Sequence, residues 1–156
     1  MQNLSTTHRL DVAERGEILV PAGRGRTAFV DTRDVAEVAV KVLTEPGHEH
    51  RAYELTGSEA LGYDEVARVL SEAVDREIRY PNPPAWTFWR RMRTRGTPPG
   101  YVLVMIALYT ACRLGLAGRV STELEDLLGR PATTFRRFAD DHREAWAPPD
   151  GRSPPP

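Results

Sequence analysis

The glycine-rich stretch Gly23-Arg-Gly-Arg-Thr-Ala28 has residue types that could bind a dinucleotide, because it follows a short apolar run and precedes an acidic residue, Glu54. In a dinucleotide-binding motif the second glycine opens a helix, so that backbone amides and the helix dipole face the pyrophosphate. Here the first helix-capping residues, Asp31 and Thr32, lie further along the chain, and Phe29-Val30 has an extended pattern. We therefore predict a turn at these glycines instead of a phosphate-binding loop.

Two pairs of charged residues surround this turn. Arg24 and Arg26 could bind an anionic ligand, because a guanidinium grips phosphate or carboxylate in a fixed fork. Two solvated loop residues are the simpler interpretation. Asp31 and Asp34 could act as paired carboxylates, but their place at the start of a helical pattern favours a cap and an interaction with the positive end of the helix.

A tyrosine that transfers protons at neutral pH needs a neighbouring cation, and a lysine four residues later provides it on one helix face. Lys41 is the only lysine, and the residue four positions before it is Glu37, so this pair is absent. Tyr109 and Arg113 have the same spacing but lie in a hydrophobic helical run, which favours a packed position for the tyrosine.

The histidines and the cysteine do not form a pattern typical of a metal site. His48 and His50 could contribute two imidazoles, but no cysteine or carboxylate cluster is spaced to complete a site, and we interpret them as part of a solvated turn. His8 and His142 lie among polar residues and indicate no site. The single cysteine, Cys112, excludes an intrachain disulfide. We predict no metal site.

Residues 78–122 form a basic region, with seven arginines and no acidic side chain. Within it, the segment 86–95 mixes tryptophans with arginines and could bind nucleic acid by stacking and phosphate contacts. On a helix, however, Phe88 and Met92 share one face, which is typical of a covering helix whose arginines reach solvent. The apolar run 101–112 is shorter than the roughly 20 residues that span a bilayer, and we predict that it packs against a helix or a pocket wall.

The elements that must position these residues follow the order β, α, β, α, β and then several helices. We predict strands at 17–21, 51–56 and 77–80, and helices at 33–43, 61–74, 86–95, 101–116, 121–128 and 135–146. The proline-rich end, 147–156, is predicted to be a disordered tail. The expected fold class is therefore α/β, with three short strands and six helices in one domain.

The composition supports a single globular domain. The 156 residues are 40% hydrophobic and 28% charged, with a formal net charge of −1. The start of the chain lacks the basic segment and apolar run of a signal peptide, so we expect a cytoplasmic protein. All cations except Lys41 are arginines, which indicates a GC-rich genome more than a functional need for guanidinium groups.

Several sequence motifs, which follow one another at characteristic distances, resemble those of one protein family. They are Ala28-Phe-Val-Asp-Thr-Arg-Asp-Val-Ala-Glu-Val-Ala-Val40, Leu43-Thr-Glu-Pro46, Tyr53-Glu-Leu-Thr-Gly57, Glu65-Val-Ala67 and Leu70-Ser71. Together with Met1-Gln-Asn-Leu4 and Gly129-Arg-Pro131, they resemble the C-terminal half of the NmrA-like branch of the atypical short-chain dehydrogenase/reductases. The resemblance covers about residues 1–146.

The resemblance implies the substrate-side part of a Rossmann-like fold. The family's Gly-x-x-Gly-x-x-Gly turn, which binds NAD(P)H, has no counterpart in this sequence, so the resemblance implies that this chain alone binds no cofactor. It places Gln2 and Asn3 near the nicotinamide end of the cleft. At the substrate pocket and its lid it places six residues: Arg26, Phe29, Trp86, Trp89, Tyr101 and Tyr109. A planar apolar acceptor such as a quinone suits a dry pocket of this kind.

Three hypotheses of function follow. The first is the substrate-binding half of an NAD(P)H-dependent oxidoreductase of the quinone-reductase type, inactive without the other half. The second is a non-catalytic redox-sensing, regulatory or interaction lobe that binds a second copy or another protein through the helices of 86–116. The third, which we favour least, is a nucleic-acid adaptor, and we expect no association with membranes.

Overall fold

The computed structural model describes residues 1–147 of the chain. The predicted disordered tail therefore lies, apart from Ala147, outside the described residues. Within them, no helix combines the length and the apolar character that crossing a membrane requires. The same residues contain no group of three or more histidine, cysteine, aspartate or glutamate side chains arranged to hold a metal ion.

The architecture is a mostly helical α/β fold. Its helices and strands, in chain order, are α1 (Gln2–Ser5), α2 (Arg9–Arg15), β1 (Arg26–Ala28), α3 (Thr32–Thr44), β2 (Ala60–Gly62), α4 (Tyr63–Val74), α5 (Ala85–Thr94), α6 (Pro99–Arg113), α7 (Glu123–Leu128) and α8 (Phe135–Asp141), followed by a 3₁₀ turn, Arg143–Trp146. All six predicted helices are present with shifted ends, and the last is divided at His142. Helices α1 and α2 were not predicted, because both are short and mainly polar.

The strands differ most from the prediction. β1 pairs with β2 in antiparallel register, with Arg26 opposite Gly62 and Ala28 opposite Ala60. The predicted strands at 17–21 and 77–80 meet in a single parallel bridge between Glu17 and Arg79. The prediction of a strand at 51–56 was wrong for this structure.

The segment 51–56 is not a strand because an extended segment becomes one only when a neighbouring backbone pairs with it. Here the backbone N–H of Glu54 donates to the Glu123 carboxylate. The Thr56 hydroxyl accepts a hydrogen bond from the backbone N–H of Ser121 at 2.8 Å. Side chains therefore satisfy groups that a second strand would pair with in a sheet.

The main hydrophobic core lies between α4 and α8. Val66 and Leu70 of α4 and Phe135 and Phe138 of α8 are all buried. Trp146 is also fully buried, and its indole N–H donates to the carbonyl of Leu4 at 3.2 Å. Burial of each large side chain contributes on the order of 2 kcal/mol, so this core supplies the rigid base of the fold.

Helices α5 and α6 pack on each other around a small separate core, and we refer to the two together as the lid (residues 85–113). Four apolar side chains fill this core: Phe88, Met92, Val102 and Met105. The lid is joined to α2 by Asp11, which is buried and accepts hydrogen bonds from Arg91 at 2.9 Å and from Arg95 at 2.7 and 2.8 Å. Two arginines of the basic region therefore bind a buried carboxylate and hold the lid on α2.

The glycine-rich stretch forms a turn, as predicted. A β-carbon on Gly25 would lie 2.2 Å from the carbonyl oxygen of Cys112, so glycine is required where the turn passes the end of α6. The turn therefore packs against a helix and does not present its backbone amides as a phosphate-binding loop.

The two aspartates after the turn have structural roles, as predicted. The Asp31 side chain caps α3 by accepting from the Arg33 backbone N–H at 2.9 Å. Burial raises the pKa of this carboxyl, but hydrogen bonds from Arg33 and Gln2 outweigh burial and lower the pKa to about 2. Asp34 is buried and accepts hydrogen bonds from the Thr133 backbone and hydroxyl and from Arg130. It ties α3 to the segment that leads into α8.

Candidate functional site

A cleft opens between the N-terminal segment, β1, the start of α4 and the lid. It consists of two adjoining cavities of about 260 and 210 Å³. Five residues line both cavities and form the wall that they share: Asn3, His8, Thr27, Tyr63 and Tyr109. We refer to the two cavities together as the cleft.

The lining of the cleft is made of uncharged side chains. Among the described residues, no aspartate, glutamate, lysine or arginine side chain lines either cavity. Val104, Met105 and Leu108 of the lid supply an apolar wall. Such a site suits an apolar ligand oriented by a few polar contacts.

The shared wall contains a buried histidine–tyrosine pair. His8 is 1% exposed, and its Nε2 lies 2.6 Å from the Tyr109 hydroxyl, which is carried by α6. Its other ring nitrogen, Nδ1, is buried and has no hydrogen-bond partner in the described part of the chain. His8 precedes α2 directly, so the anchoring of the lid on Asp11 also holds Tyr109 against His8.

Burial keeps this pair neutral. Desolvation lowers the pKa of His8 to about 4; Asp11 opposes this shift and Arg95 adds to it. Desolvation also raises the pKa of Tyr109 far above its usual range, with smaller contributions from Tyr63 and other neighbouring groups. At neutral pH the wall therefore presents a neutral imidazole and a protonated phenol.

Two more tyrosines stand beside the pair. Burial raises the pKa of Tyr63, although a hydrogen bond with Thr27 opposes the shift. Burial likewise raises the pKa of Tyr80 to about 12, and its hydroxyl donates to the Gly23 carbonyl at 3.2 Å. Both hydroxyls are thus protonated at neutral pH.

The structure brings together half of the residues predicted for the site. Asn3, Phe29, Tyr101 and Tyr109 line the cleft. Tyr101, which is 53% exposed, stands on the lid.

Four predicted residues line neither cavity. The side chain of Gln2 donates to Asp31 at 2.8 Å, and Arg26 binds Glu65 and the Ala60 carbonyl. Trp86 is exposed and lies under the guanidinium of Arg90. The fourth is Trp89, which packs against the core of the lid.

Sequence reasoning missed His8, Thr27 and Tyr63. His8 is separated from Tyr109 by 101 positions, so no local spacing could connect the two. Thr27 lies in β1 and Tyr63 directly follows β2, and the pairing of these two strands was not predicted. A lone histidine before a short polar helix gives no sequence signal that distinguishes it from a solvated one.

A second depression of about 490 Å³ lies elsewhere, near the loop 48–53 and α7. It contains another histidine–tyrosine pair, in which His48 Nδ1 lies 2.7 Å from the Tyr53 hydroxyl. Its rim carries charged side chains, including Arg51, Glu123 and Asp126. It is larger than either cavity of the cleft, but it is open to solvent and lacks a comparable apolar wall.

Comparisons with known proteins point to reductases. No protein-family model matches the sequence. The chain is 38% identical over 146 residues to the NAD(P)H azoreductase of Xenophilus azovorans, a match that covers 94% of this chain and 51% of that enzyme.

Solved structures give the same picture. The NADPH-dependent quinone oxidoreductase of Escherichia coli matches with a TM-score of 0.81 and 25% identity, covering 89% of this chain and 50% of that one. The triphenylmethane reductase of Citrobacter sp. in complex with NADP(H) matches with a TM-score of 0.74 and 27% identity, covering 82% and 44%. The chain thus spans about half the length of the proteins that it matches.

Proposed function

Because the chain belongs to the NmrA-like branch of the short-chain dehydrogenase/reductases and corresponds to its C-terminal half, we propose that it is the substrate-binding half of an NAD(P)H-dependent oxidoreductase. We further propose that the substrate is a quinone or another planar apolar acceptor. In such enzymes the cofactor supplies the hydride, and the protein binds and orients the acceptor. The residues of this chain would perform the second task.

The cleft is the observation that carries this proposal. Its lining carries no charged side chain, so it suits the apolar ring system of a ligand, whereas a charged substituent such as a sulfonate would stay at the open mouth of the cleft, in solvent. Val104 and Leu108 of the lid can cover one face of a flat ring system, while Tyr109 and Asn3 stand at its edge. Asn3 is the residue that we propose nearest to the nicotinamide.

The glycine-rich turn does not fit the pyrophosphate of a dinucleotide. The glycine-rich turn is packed against α6 at Gly25, so its backbone amides cannot form a cradle for phosphate groups. We therefore propose that this chain alone binds no NAD(P)H with useful affinity and transfers no hydride.

Calorimetric titration of the purified chain tests both parts of the proposal. A suitable quinone probe is 9,10-anthraquinone-2-sulfonate, which cannot alkylate the Cys112 thiol that lines the cleft. We expect stoichiometric binding of this probe and no stoichiometric binding of NADPH. Absence of quinone binding would overturn the acceptor site, whereas micromolar binding of NADPH would overturn the proposed inactivity.

One observation favours the alternative of an interaction lobe. The lid and the segment after it expose three large apolar side chains that line neither cavity: Leu103, Leu114 and Leu116. Exposed apolar surface of this kind is typical of a binding face. Sedimentation of the chain over a range of concentrations tests self-association, and a monomer at all concentrations would count against it.

A further inference from the structure

The His8–Tyr109 pair contains a hydrogen-bond arrangement that the folded chain alone leaves incomplete. Its single bond can be made in two ways, because a neutral imidazole carries its proton on either nitrogen. If Nδ1 carries the proton, the Tyr109 hydroxyl donates to Nε2. If Nε2 carries it, the imidazole donates to the tyrosine oxygen.

The environment of Nδ1 decides between the two arrangements. Nδ1 is buried and has no partner within residues 1–147, so the first arrangement would leave an N–H donor buried there without an acceptor. Orphaned N–H groups are rarer and more costly than unfilled acceptor positions. The second arrangement leaves the Nδ1 lone pair unfilled and moves the unfilled donor to the Tyr109 hydroxyl, which lines both cavities and can donate to a group that occupies the cleft. It is therefore favoured.

The second arrangement directs the tyrosine hydroxyl into the cleft. When Nε2–H donates to the oxygen of Tyr109, the phenolic hydrogen has no acceptor in the pair. Tyr109 lines both cavities, so an O–H that does not donate to His8 can donate to a ligand in the cleft. The neighbouring hydroxyl of Tyr80 already donates to the Gly23 carbonyl.

We propose that the Tyr109 hydroxyl is the specificity-determining donor of the cleft, that it binds a carbonyl oxygen of the acceptor, and that His8 is the positioning residue that fixes its direction. This inference rests on the proposed function, because it names the atom that recognises the substrate. It selects aromatic acceptors with a carbonyl at the ring edge over hydrocarbons of the same shape. No chemical step beyond this hydrogen bond is implied.

A matched pair of ligands tests the proposal. The probes are 9,10-anthraquinone-2-sulfonate and anthracene-2-sulfonate, which share their shape and charge but differ in the two carbonyl groups. We expect the chain to bind the quinone about five-fold more tightly, as the loss of one neutral hydrogen bond predicts. The Tyr109→Phe variant should lose this preference and bind both probes with the affinity that anthracene-2-sulfonate has for the unmodified chain.

The molecule supplies its own control variant. Tyr53→Phe removes a hydroxyl from an equivalent pair with His48, outside the cleft, and should leave the preference unchanged. The carbonyl stretch of the bound quinone gives a second readout. It should shift to lower wavenumber in the unmodified chain and in Tyr53→Phe, and the shift should be absent in Tyr109→Phe.

Two variants of His8 test its positioning role. His8→Gln keeps an amide N–H that can donate near the position of Nε2 and should retain the preference and the infrared shift. His8→Leu removes the donor and should lose both while still binding anthracene-2-sulfonate. If His8→Leu fails to fold, Tyr109→Phe and His8→Gln still decide the matter.

The possible outcomes separate this inference from the proposed function. If the unmodified chain binds both probes equally, or if Tyr109→Phe keeps the preference, the role of Tyr109 is overturned and the acceptor cleft stands. If neither probe binds, the proposed function itself is overturned, and the inference fails with it.

Discussion

The two histidine–tyrosine pairs of this protein have nearly the same hydrogen-bond length, 2.6 Å for His8–Tyr109 and 2.7 Å for His48–Tyr53. They differ in their surroundings. His8 is fully buried and joins α2 to the lid across 101 positions of sequence. His48 lies only five positions from Tyr53, on a loop beside an open depression with a charged rim.

The environment of a hydrogen bond determines what the bond can do. In the loop pair, water can complete any unfilled donor or acceptor, so the arrangement of protons is free. In the buried pair, water is excluded, and each unfilled position has an energetic cost. Only the buried pair can therefore fix the direction of a hydroxyl toward a ligand.

Asp11→Ala should have the largest effect on stability. It leaves Arg91 and Arg95, both mostly buried, without their carboxylate partner and detaches the lid from α2. We expect a loss of about 3 kcal/mol in the free energy of unfolding. This is the lower end of the range for breaking a buried ion pair, because both arginines retain some contact with solvent. Urea denaturation followed by circular dichroism measures this loss.

The matched change beside the loop pair is Glu123→Ala. It removes the acceptor of the Glu54 backbone N–H, a group that water can satisfy after the substitution. We expect a loss below about 1 kcal/mol. Equal losses in the two variants would contradict the difference in environment between the two regions.

Acidification should destabilise the protein through His8. The pKa of His8 is about 4 in the folded protein and 6.5 in a model peptide, so the unfolded chain binds more protons between these values. The folded protein therefore has its full free energy of unfolding above pH 6.5, and part of this free energy is lost as the pH falls from 6.5 toward 4. This difference between the two pKa values corresponds to a loss of about 3 kcal/mol in the free energy of unfolding once the pH is below both of them. Unfolding free energies measured at pH 7.5 and pH 4.5 report it.

Two variants assign this pH dependence to a residue. His8→Gln cannot titrate and should be almost equally stable at both pH values. His48→Gln retains His8 and should keep the full loss on acidification. The assignment to His8 would be wrong if His8→Gln lost as much stability on acidification as the unmodified chain.

Much of the helical part of the fold could be predicted from the sequence, because apolar residues recur at helical spacing and capping residues mark the ends. Asp31 before α3 is one such signal, and the Thr134 side chain before α8 is another. The strands could not be predicted in the same way. The segment 51–56 has strand-like residues, but pairing depends on which backbone lies beside it, and that is a property of the whole fold.

The site was predictable only in part, for a similar reason. The resemblance to a reductase family pointed to Tyr109, whereas the spacing of residues indicated only a packed position. The partner of Tyr109 could not be identified, since His8 reaches it through the packing of the lid on α2. Arg26 shows the opposite case. This arginine could have bound a ligand, but it forms a salt bridge with Glu65 and donates to the Ala60 carbonyl.

The smallest effects on stability should come from removing the two tyrosine hydroxyls. Tyr109→Phe leaves both nitrogens of the buried His8 without a partner, and we expect a loss of about 1 to 2 kcal/mol. Tyr53→Phe leaves His48 within reach of water, and we expect a loss of a few tenths of a kcal/mol. Thermal unfolding of the two variants at pH 7.5 compares them directly. If both variants lost the same small amount, the buried pair would be hydrated, and its hydroxyl would no longer be held in one direction.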